Sequence, residues 1–203
     1  MKYDVDYIEK AYRGGRSVIF DLDDTIFPEI IFLKQRYMYV TKHIFQDRWK
    51  EPYQFLVREF STQGRSGVFD KLITRYKLTL STNDVLTIFR CYDGGKEISI
   101  TPYYWFRRLI CRLKRQYPLF LITNGYPAQQ REKLKALNII DAFSDVICVY
   151  ANEYKAKPSI QPFEVLEKKV QLHHPIYIGD STTDMAFCLA CGIEFFQVKN
   201  LMR

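Results

Sequence analysis

The sequence predicts an α/β fold: a Rossmann-like parallel sheet of five strands, with helices on both faces and an all-helical insertion after the first strand. Two observations support it. Five short apolar runs are typical of buried strands, and stretches with helical signals separate the last four of them. Strands that alternate with helices are joined by right-handed crossovers in a parallel sheet. The predicted strands are residues 18–21, 119–123, 146–149, 176–179 and 195–198.

Proline and threonine positions support the helices between these strands. Pro127 suits the first turn of one helix and Pro162 lies near the start of another, where the missing N–H is no loss. Thr182 and Thr183 are both candidates to cap a third helix. The predicted helices are residues 128–137, 163–170 and 184–191.

The insertion has a different pattern, because residues 30–100 contain no strand signal. Its helix-like segments are residues 31–48, 53–60, 68–76 and 83–91, separated by Pro52, by residues 64–67 and by residues 93–95. We therefore predict a core domain of residues 1–29 plus 101–203 and a helical domain of residues 30–100. An insertion at the carboxyl end of a strand lies where ligands bind in open α/β sheets. It is a candidate lid, and an appendage without a chemical role is the alternative.

The composition is that of an ordinary globular protein. Hydrophobic residues make up 47% of the chain, and no apolar run approaches the roughly 20 residues that span a bilayer. The N-terminal residues lack a secretory signal pattern, so we expect a cytoplasmic protein that does not bind a membrane. The five cysteines suit a reducing compartment. Cys188 and Cys191 have the spacing of a metal or redox pair, but their apolar surroundings favour packed thiols.

The formal net charge of +7 suits attraction of an anionic small molecule. Apolar residues recur at helical spacing through one basic cluster, which indicates an amphipathic helix. Its basic members are Arg107, Arg108, Arg112, Lys114 and Arg115. A solvated basic face near a helix C-terminus is favoured by the helix dipole, and nucleic-acid binding is the alternative.

The first strand ends in a cluster of carboxylates, Asp21, Asp23 and Asp24. At an effective dielectric of about 20, two like charges about 4 Å apart repel by roughly 4 kcal/mol. A hard divalent cation such as Mg²⁺ relieves that repulsion. The alternative is an acidic turn whose carboxylates are solvated.

Other predicted strands also end in reactive side chains. Thr123 and Asn124 close the second strand, Lys157 follows the third, and Asp180 and Asp184 follow the fourth. Each signal is weak alone. In a parallel sheet all carboxyl ends lie along one edge, so these groups converge with the carboxylate cluster.

Phosphoryl transfer to a carboxylate needs this set of groups. A cation must bridge the anionic nucleophile and phosphate, while a hydroxyl and a lysine hold the charge on the phosphoryl oxygens. A second carboxylate protonates the leaving oxygen and later activates water. Asp21 and Asp23 suit these two roles, because side chains two apart on an extended segment leave the same face.

Together the motifs resemble those of the haloacid dehalogenase (HAD) superfamily of phosphohydrolases, over essentially the full chain. The four motifs are Asp21-Leu-Asp23-Asp-Thr25, Ile122-Thr-Asn-Gly125, Lys157-Pro158 and Gly179-Asp-Ser-Thr-Thr-Asp184. The helical insertion is placed like that superfamily's first-type cap.

The resemblance implies a role for each motif residue. Asp21 would be the nucleophile that forms an aspartyl-phosphate, and Asp23 the general acid and base. Thr123 and Lys157 would bind the phosphoryl group. Lys155 is a rival for the lysine role, but Lys157 precedes the proline as in the family pattern.

The implied cofactor is Mg²⁺. The resemblance assigns it to the Asp21 carboxylate, the Asp23 main-chain carbonyl and Asp180. Asp184 would complete the metal shell or orient Lys157.

Supporting roles follow from the same resemblance. Thr25 is expected to tie down the loop, and Asp24 to face away from the site.

Substrate choice is expected to lie in the lid. The candidates to contact a base, sugar or carboxylate are Arg36, Tyr37, Tyr39, Arg65 and Tyr126. Asn124 is a further candidate substrate-binding residue.

The main hypothesis is a Mg²⁺-dependent phosphatase that hydrolyses a small phosphorylated metabolite through an aspartyl-phosphate. The motifs look most like those of small capped phosphatases that include pyrimidine 5′-nucleotidases, which suggests a nucleoside monophosphate. Asp23 argues against a dehalogenase, which needs no group to protonate an alcohol. A sugar-phosphate mutase, a non-catalytic regulatory protein on the same scaffold and a nucleic-acid-end phosphatase are the alternatives.

Overall fold

The structure is a computed structural model that describes residues 5–92, 98–113, 118–149 and 155–198. It divides into two compact units, one formed by Met1–Pro28 with Ile100–Arg203 and the other by Glu29–Ser99. The α-helices, numbered along the chain, are α1 Val5–Arg13, α2 Glu29–Phe45, α3 Lys50–Gln63, α4 Val68–Tyr76, α5 Thr82–Arg90, α6 Tyr104–Arg112, α7 Pro127–Ala136, α8 Gln161–Lys169 and α9 Thr182–Cys191.

The first unit is built on a parallel sheet, which confirms the predicted α/β class. Its strands are β1 Val18–Phe20, β2 Leu119–Asn124, β3 Asp145–Val149, β4 Ile176–Gly179 and β5 Glu194–Gln197. They lie in the order β3-β2-β1-β4-β5. Phe20 at the end of β1 is in register with Leu121 of β2 and Ile178 of β4. The residues that follow β1 therefore leave the sheet between the ends of two neighbouring strands.

Both faces of the sheet are covered, so its central strands are mostly apolar up to their carboxyl ends. On one face Ile19, Phe120 and Tyr177 pack with Phe187 of α9. On the other, the ring of Phe20 meets that of Phe106 of α6 edge to face, with centroids 5.5 Å apart. Burial of this kind contributes about 25 cal/mol per Å² of apolar surface, and it makes the sheet a rigid support for the groups at its edge.

The helix signals were largely correct, with two corrections. Helix α9 is capped by Ser181 rather than by Thr182 or Thr183, because the Ser181 hydroxyl and the Asp184 side chain form a reciprocal capping box. Helix α1 was not predicted from the sequence. It buries Ile8 and Tyr12.

The basic helix is α6. Its Arg112 donates to Asp6 and Glu9 of α1, at 2.9 and 3.1 Å, while Arg107 and Arg108 are exposed. Arg112 is therefore paired within the protein, and nucleic-acid binding by the exposed arginines stays the alternative. Lys114 and Arg115 lie outside the described residues, as does the predicted break at residues 93–95.

The second unit consists of helices α2 to α5 and a short 3₁₀ turn at Gln46–Arg48, with no strand among its described residues, 29–92 and 98–99. Gly64 follows α3 with a φ of 73° and stops the helix. Ser81 and Asp84 form a capping box at the start of α5. The described residues of the predicted helical insertion thus form helices and connecting turns, as the sequence pattern predicts.

Cys188 and Cys191 are the two cysteines with the spacing of a metal or redox pair. Cys188 is buried in the sheet core, and burial raises the pKa of its thiol well above the usual value. Burial also raises the pKa of Cys191 to about 11. Both shifts favour packed, unreactive thiols.

Within the described ranges, no helix has the length and hydropathy needed to cross a membrane.

Candidate active site

Asp21 directly follows β1 and extends its ladder, since its backbone N–H donates to the Ile178 carbonyl at 2.9 Å. The chain then turns sharply: Asp24 has a φ of 55° and the N–H of Ile26 returns to the Leu22 carbonyl. This turn leaves Asp21 only 6% exposed at the sheet edge.

Thr25 lies under that turn. Its hydroxyl donates to Oδ2 of Asp21 at 3.4 Å, and its side chain is fully buried. This contact agrees with the expectation that Thr25 ties down the loop.

Lys157 connects the ends of several strands. Its Nζ donates to Oδ1 of Asp21 at 2.8 Å and to Oδ1 of Asp184 at 2.6 Å. It also bonds the Tyr177 hydroxyl at 2.6 Å and the Ile122 carbonyl at 3.3 Å. Burial acts to lower the pKa of Lys157, but the two carboxylates outweigh it and raise that pKa above its usual value. The ammonium therefore stays charged.

Asn124 positions the backbone of Lys157. Its Oδ1 accepts the Lys157 N–H at 3.0 Å and its Nδ2 donates to the Lys157 carbonyl at 3.2 Å. Both ends of its amide thus bond the segment that carries the lysine, and the substrate role of Asn124 stays a prediction.

Asp184 orients Lys157 from the start of α9. Its Oδ2 accepts the Ser181 hydroxyl at 2.6 Å, while its Oδ1 accepts the ammonium. Burial acts to raise the pKa of Asp184, but Lys157 and Ser181 hold that pKa below its usual range. Of the two predicted roles of Asp184, these contacts support the orienting one directly.

Gly179 is required by this arrangement, because a Cβ added there would lie 2.7 Å from Cγ of Asp184. Both residues are buried, so neither can move aside. We expect Gly179→Ala to lower the free energy of unfolding by about 1–3 kcal/mol through overpacking. Urea titration checks this, with Gly14→Ala as the milder comparison, since there the nearest atom is a backbone oxygen at 3.3 Å. Equal stabilities would contradict it.

Three carboxylates could hold a cation. Asp21, Asp180 and Asp184 each offer an oxygen, and these oxygens lie within 4.8 Å of one another. Burial, with Asp184 and Asp23 adding to it, raises the pKa of Asp21 to about 7 despite Lys157. Burial, Asp184 and Asp24 raise the pKa of Asp180 to about 6. This excess of crowded negative charge and the hard oxygen donors fit Mg²⁺.

Asp24 acts on this cluster through its charge. Burial is the main cause of the raised pKa of Asp180 and of Tyr103, and the Asp24 charge adds to both shifts. That its side chain faces away from the site stays a prediction.

The side chain of Asp23 faces helix α7. Nζ of Lys133 lies 2.7 and 2.8 Å from its two oxygens, and Nε2 of Gln130 lies 3.1 Å from Oδ2. The same Nε2 donates to the hydroxyl of Thr123 at 2.7 Å. The site therefore has two parts: Asp21 with Lys157, and Asp23 with Lys133.

Sequence reasoning missed Gln130 and Lys133. The only available signal was their three-residue spacing on a helix that starts just after the Thr123 turn. In a helix rich in lysine and glutamine, that spacing is also typical of a solvated face, so it did not single them out.

The two arginines predicted to contact substrate belong to the second unit. Arg36 is only 2% exposed, donates to the Phe89 carbonyl at 3.0 Å and lies 4.4 Å from the Tyr92 ring centroid. Arg36 is thus part of the core of the helical unit, and its substrate role stays a prediction. Arg65 is half exposed and paired with Glu29, and its substrate role stays a prediction.

Solved structures share this fold. YfnB from Bacillus subtilis, bound to magnesium, is 22% identical, with a TM-score of 0.64 over 89% of this chain and 85% of that one. A Thermotoga maritima protein assigned as a β-phosphoglucomutase is 14% identical, with a TM-score of 0.68 over 90% of this chain and 84% of that one. L-2-haloacid dehalogenase from Xanthobacter autotrophicus is 15% identical, with a TM-score of 0.59 over 90% of this chain and 76% of that one. At these identities the likeness concerns the fold alone.

Sequence comparison defines the family. No curated protein sequence matches the chain. The profile of the haloacid dehalogenase-like hydrolases matches residues 18–198, which run from the start of β1 to just beyond β5. The chain therefore belongs to the haloacid dehalogenase-like hydrolase family.

Proposed function

We propose that the protein is a Mg²⁺-dependent phosphatase that hydrolyses a small phosphomonoester through an aspartyl-phosphate on Asp21. The observation that carries the proposal is the buried Lys157 ammonium, 2.8 Å from Asp21 and 2.6 Å from Asp184. It holds the nucleophile at the strand end and leaves a positive charge beside the place where a phosphoryl group would bind.

In the first step an oxygen of Asp21 attacks phosphorus, and the bond to the substrate oxygen breaks as Asp23 gives that oxygen a proton. In the second step water attacks phosphorus, Asp23 takes a proton from the water, and the bond to Asp21 breaks. Lys157 and the Thr123 hydroxyl hold charge on the phosphoryl oxygens. The net reaction converts a phosphomonoester and water into an alcohol and phosphate.

The residues that would hold Mg²⁺ are Asp21 and Asp180, with the main-chain carbonyl of Asp23 as the family resemblance implies, and Asp184 lies beside them. When bound, the cation neutralises charge on the carboxylates and on the phosphoryl oxygens. The crowding that raises the pKa of Asp21 to about 7 and of Asp180 to about 6 supports this donor set.

The proposed domains are an α/β core, residues 1–29 plus 101–203, and a helical cap, residues 30–100. Substrate choice by the cap, with Arg65 as a contact, stays a prediction. A nucleoside monophosphate is the narrower substrate proposal, and it rests on the motif resemblance alone.

The test is phosphate release from p-nitrophenyl phosphate by purified protein, with Mg²⁺ and after chelation. Chelation should lower turnover about 100-fold or more, because a metal ion contributes several kcal/mol of charge stabilisation. Readdition of Mg²⁺ should restore it. Equal turnover in both samples would overturn the metal assignment.

A wider substrate panel separates the alternatives. Chloride release from 2-chloropropionate without any phosphatase activity would indicate a dehalogenase. Phosphate exchange between sugar positions without net release would indicate a mutase. Steeply salt-dependent activity confined to oligonucleotide ends would indicate a nucleic-acid-end phosphatase, and binding without turnover would indicate a regulatory protein.

A further inference from the structure

Lys133 and Gln130 are buried on the face of α7 that meets the loop after β1. They are three positions apart, so they share one side of the helix. Their exposed fractions are 3% and 1%, whereas Arg131 and Lys135 of the same helix are exposed. One lysine of α7 is thus buried beside Asp23.

Stability alone does not explain a buried lysine. Removing an ammonium from water costs several kcal/mol, and a buried ion pair is often no more stabilising than apolar side chains of the same volume. Lys133 nevertheless contacts both oxygens of Asp23, at 2.7 and 2.8 Å, the lengths of charge-assisted hydrogen bonds. Contact with both oxygens restricts rotation of the carboxylate.

Gln130 links the same carboxylate to the phosphate-binding strand end. Its Nε2 lies 3.1 Å from Oδ2 of Asp23 and 2.7 Å from the Thr123 hydroxyl, and an amide nitrogen has two N–H groups to donate. Gly125 makes room for it: with a φ of 152°, a Cβ there would lie 2.9 Å from Cδ of Gln130. The turn after β2 is therefore shaped around this amide.

We propose that Lys133 is the positioning residue of the Asp23 carboxylate, and that Gln130 fixes the position of this carboxylate relative to the Thr123 hydroxyl. The proposal rests on the proposed function, in which Asp23 first gives a proton to the leaving oxygen and then takes one from water. Both steps need the carboxylate in one place. Lys133 holds it there without touching the substrate.

The test compares Lys133→Met, which keeps the length and removes the charge, with Lys133→Arg, which keeps the charge. Lys135→Met is the matched control on the same helix. General acid catalysis contributes 10²–10⁴-fold, so Lys133→Met should lower kcat/KM for ethyl phosphate about 100-fold. For p-nitrophenyl phosphate the loss should stay below about tenfold, because p-nitrophenolate leaves without a proton.

Lys133→Arg should recover a large part of the ethyl phosphate activity, and Lys135→Met should match the wild type. Equal losses for the two substrates, or no loss for either, would overturn the proposal. So would an arginine variant as inactive as the methionine variant.

A crystal structure of Lys133→Met tests the positioning without any turnover. The carboxylate of Asp23 should leave its contact with Gln130, and an unmoved carboxylate would overturn the proposal. Wild-type protein that hydrolyses neither ester would instead overturn the proposed function, while the position of Asp23 in the variant would still decide the role of Lys133.

Discussion

Asp21→Asn should abolish phosphate release, with kcat lowered by about 10⁴-fold or more, as expected when a nucleophile is removed. Asparagine has the size of aspartate but cannot form the acyl-phosphate. Turnover of p-nitrophenyl phosphate measures the effect, and Asp141→Asn, at an exposed position of the same unit, is the matched control. Wild-type turnover in Asp21→Asn would remove Asp21 from the mechanism.

The lost activity should not come from unfolding. Burial and the neighbouring carboxylates raise the pKa of Asp21 from 3.8 to about 7. A carboxyl whose pKa is raised on folding stabilises the fold below its unfolded pKa, and that stabilisation is lost as the pH rises through the folded pKa. Asparagine does not ionise, and Lys157 keeps Asp184 as a carboxylate partner at 2.6 Å, so at pH 8 without metal the variant should stay folded. Urea titration at that pH checks this.

Lys157→Met should lower turnover by about 10³-fold and also destabilise the protein. Removing one partner of a buried ion pair costs about 3–5 kcal/mol, and Lys157 is paired with both Asp21 and Asp184 at 2.8 and 2.6 Å. The matched control is Lys155→Met, since Lys155 is exposed and was the rival for the lysine role. Assays of both variants separate the two lysines.

Added Mg²⁺ should distinguish the two effects of Lys157→Met. The uncompensated carboxylates bind a cation more strongly, so Mg²⁺ should stabilise the variant more than the wild type. Turnover should remain low, because a cation at the carboxylates does not replace the ammonium beside the phosphoryl oxygens. Activity that recovers together with stability would contradict the proposed role of Lys157.

The strands and their chemistry were predictable from the sequence because each signal is local. Apolar runs define β1, β2 and β4, and the residues that follow each run are read directly from the chain. Parallel order then places Asp21, Asp180 and Lys157 at one edge of the sheet. The helix α1 was missed, because a short amphipathic segment becomes a helix only when Ile8 and Tyr12 have a surface to cover.

The roles of individual polar side chains were harder to predict. The sequence does not distinguish a buried arginine such as Arg36 from an exposed one. Asn124 looked like a turn residue or a substrate contact, yet it holds the backbone of Lys157 across 33 positions. Only the packing of the surrounding elements shows which polar groups form hydrogen bonds within the fold.

The sequence by itself determined which reactive groups the protein has and the sheet edge at which they meet, because hydrophobic periodicity and parallel crossovers follow from local order. Only the tertiary structure decided which oxygen faces which cation. Asp23 and Lys133 are 110 positions apart, and their pairing depends on how α7 packs against the loop after β1. The carboxylate cluster thereby becomes two sites with separate partners, one built on Lys157 and one on Lys133.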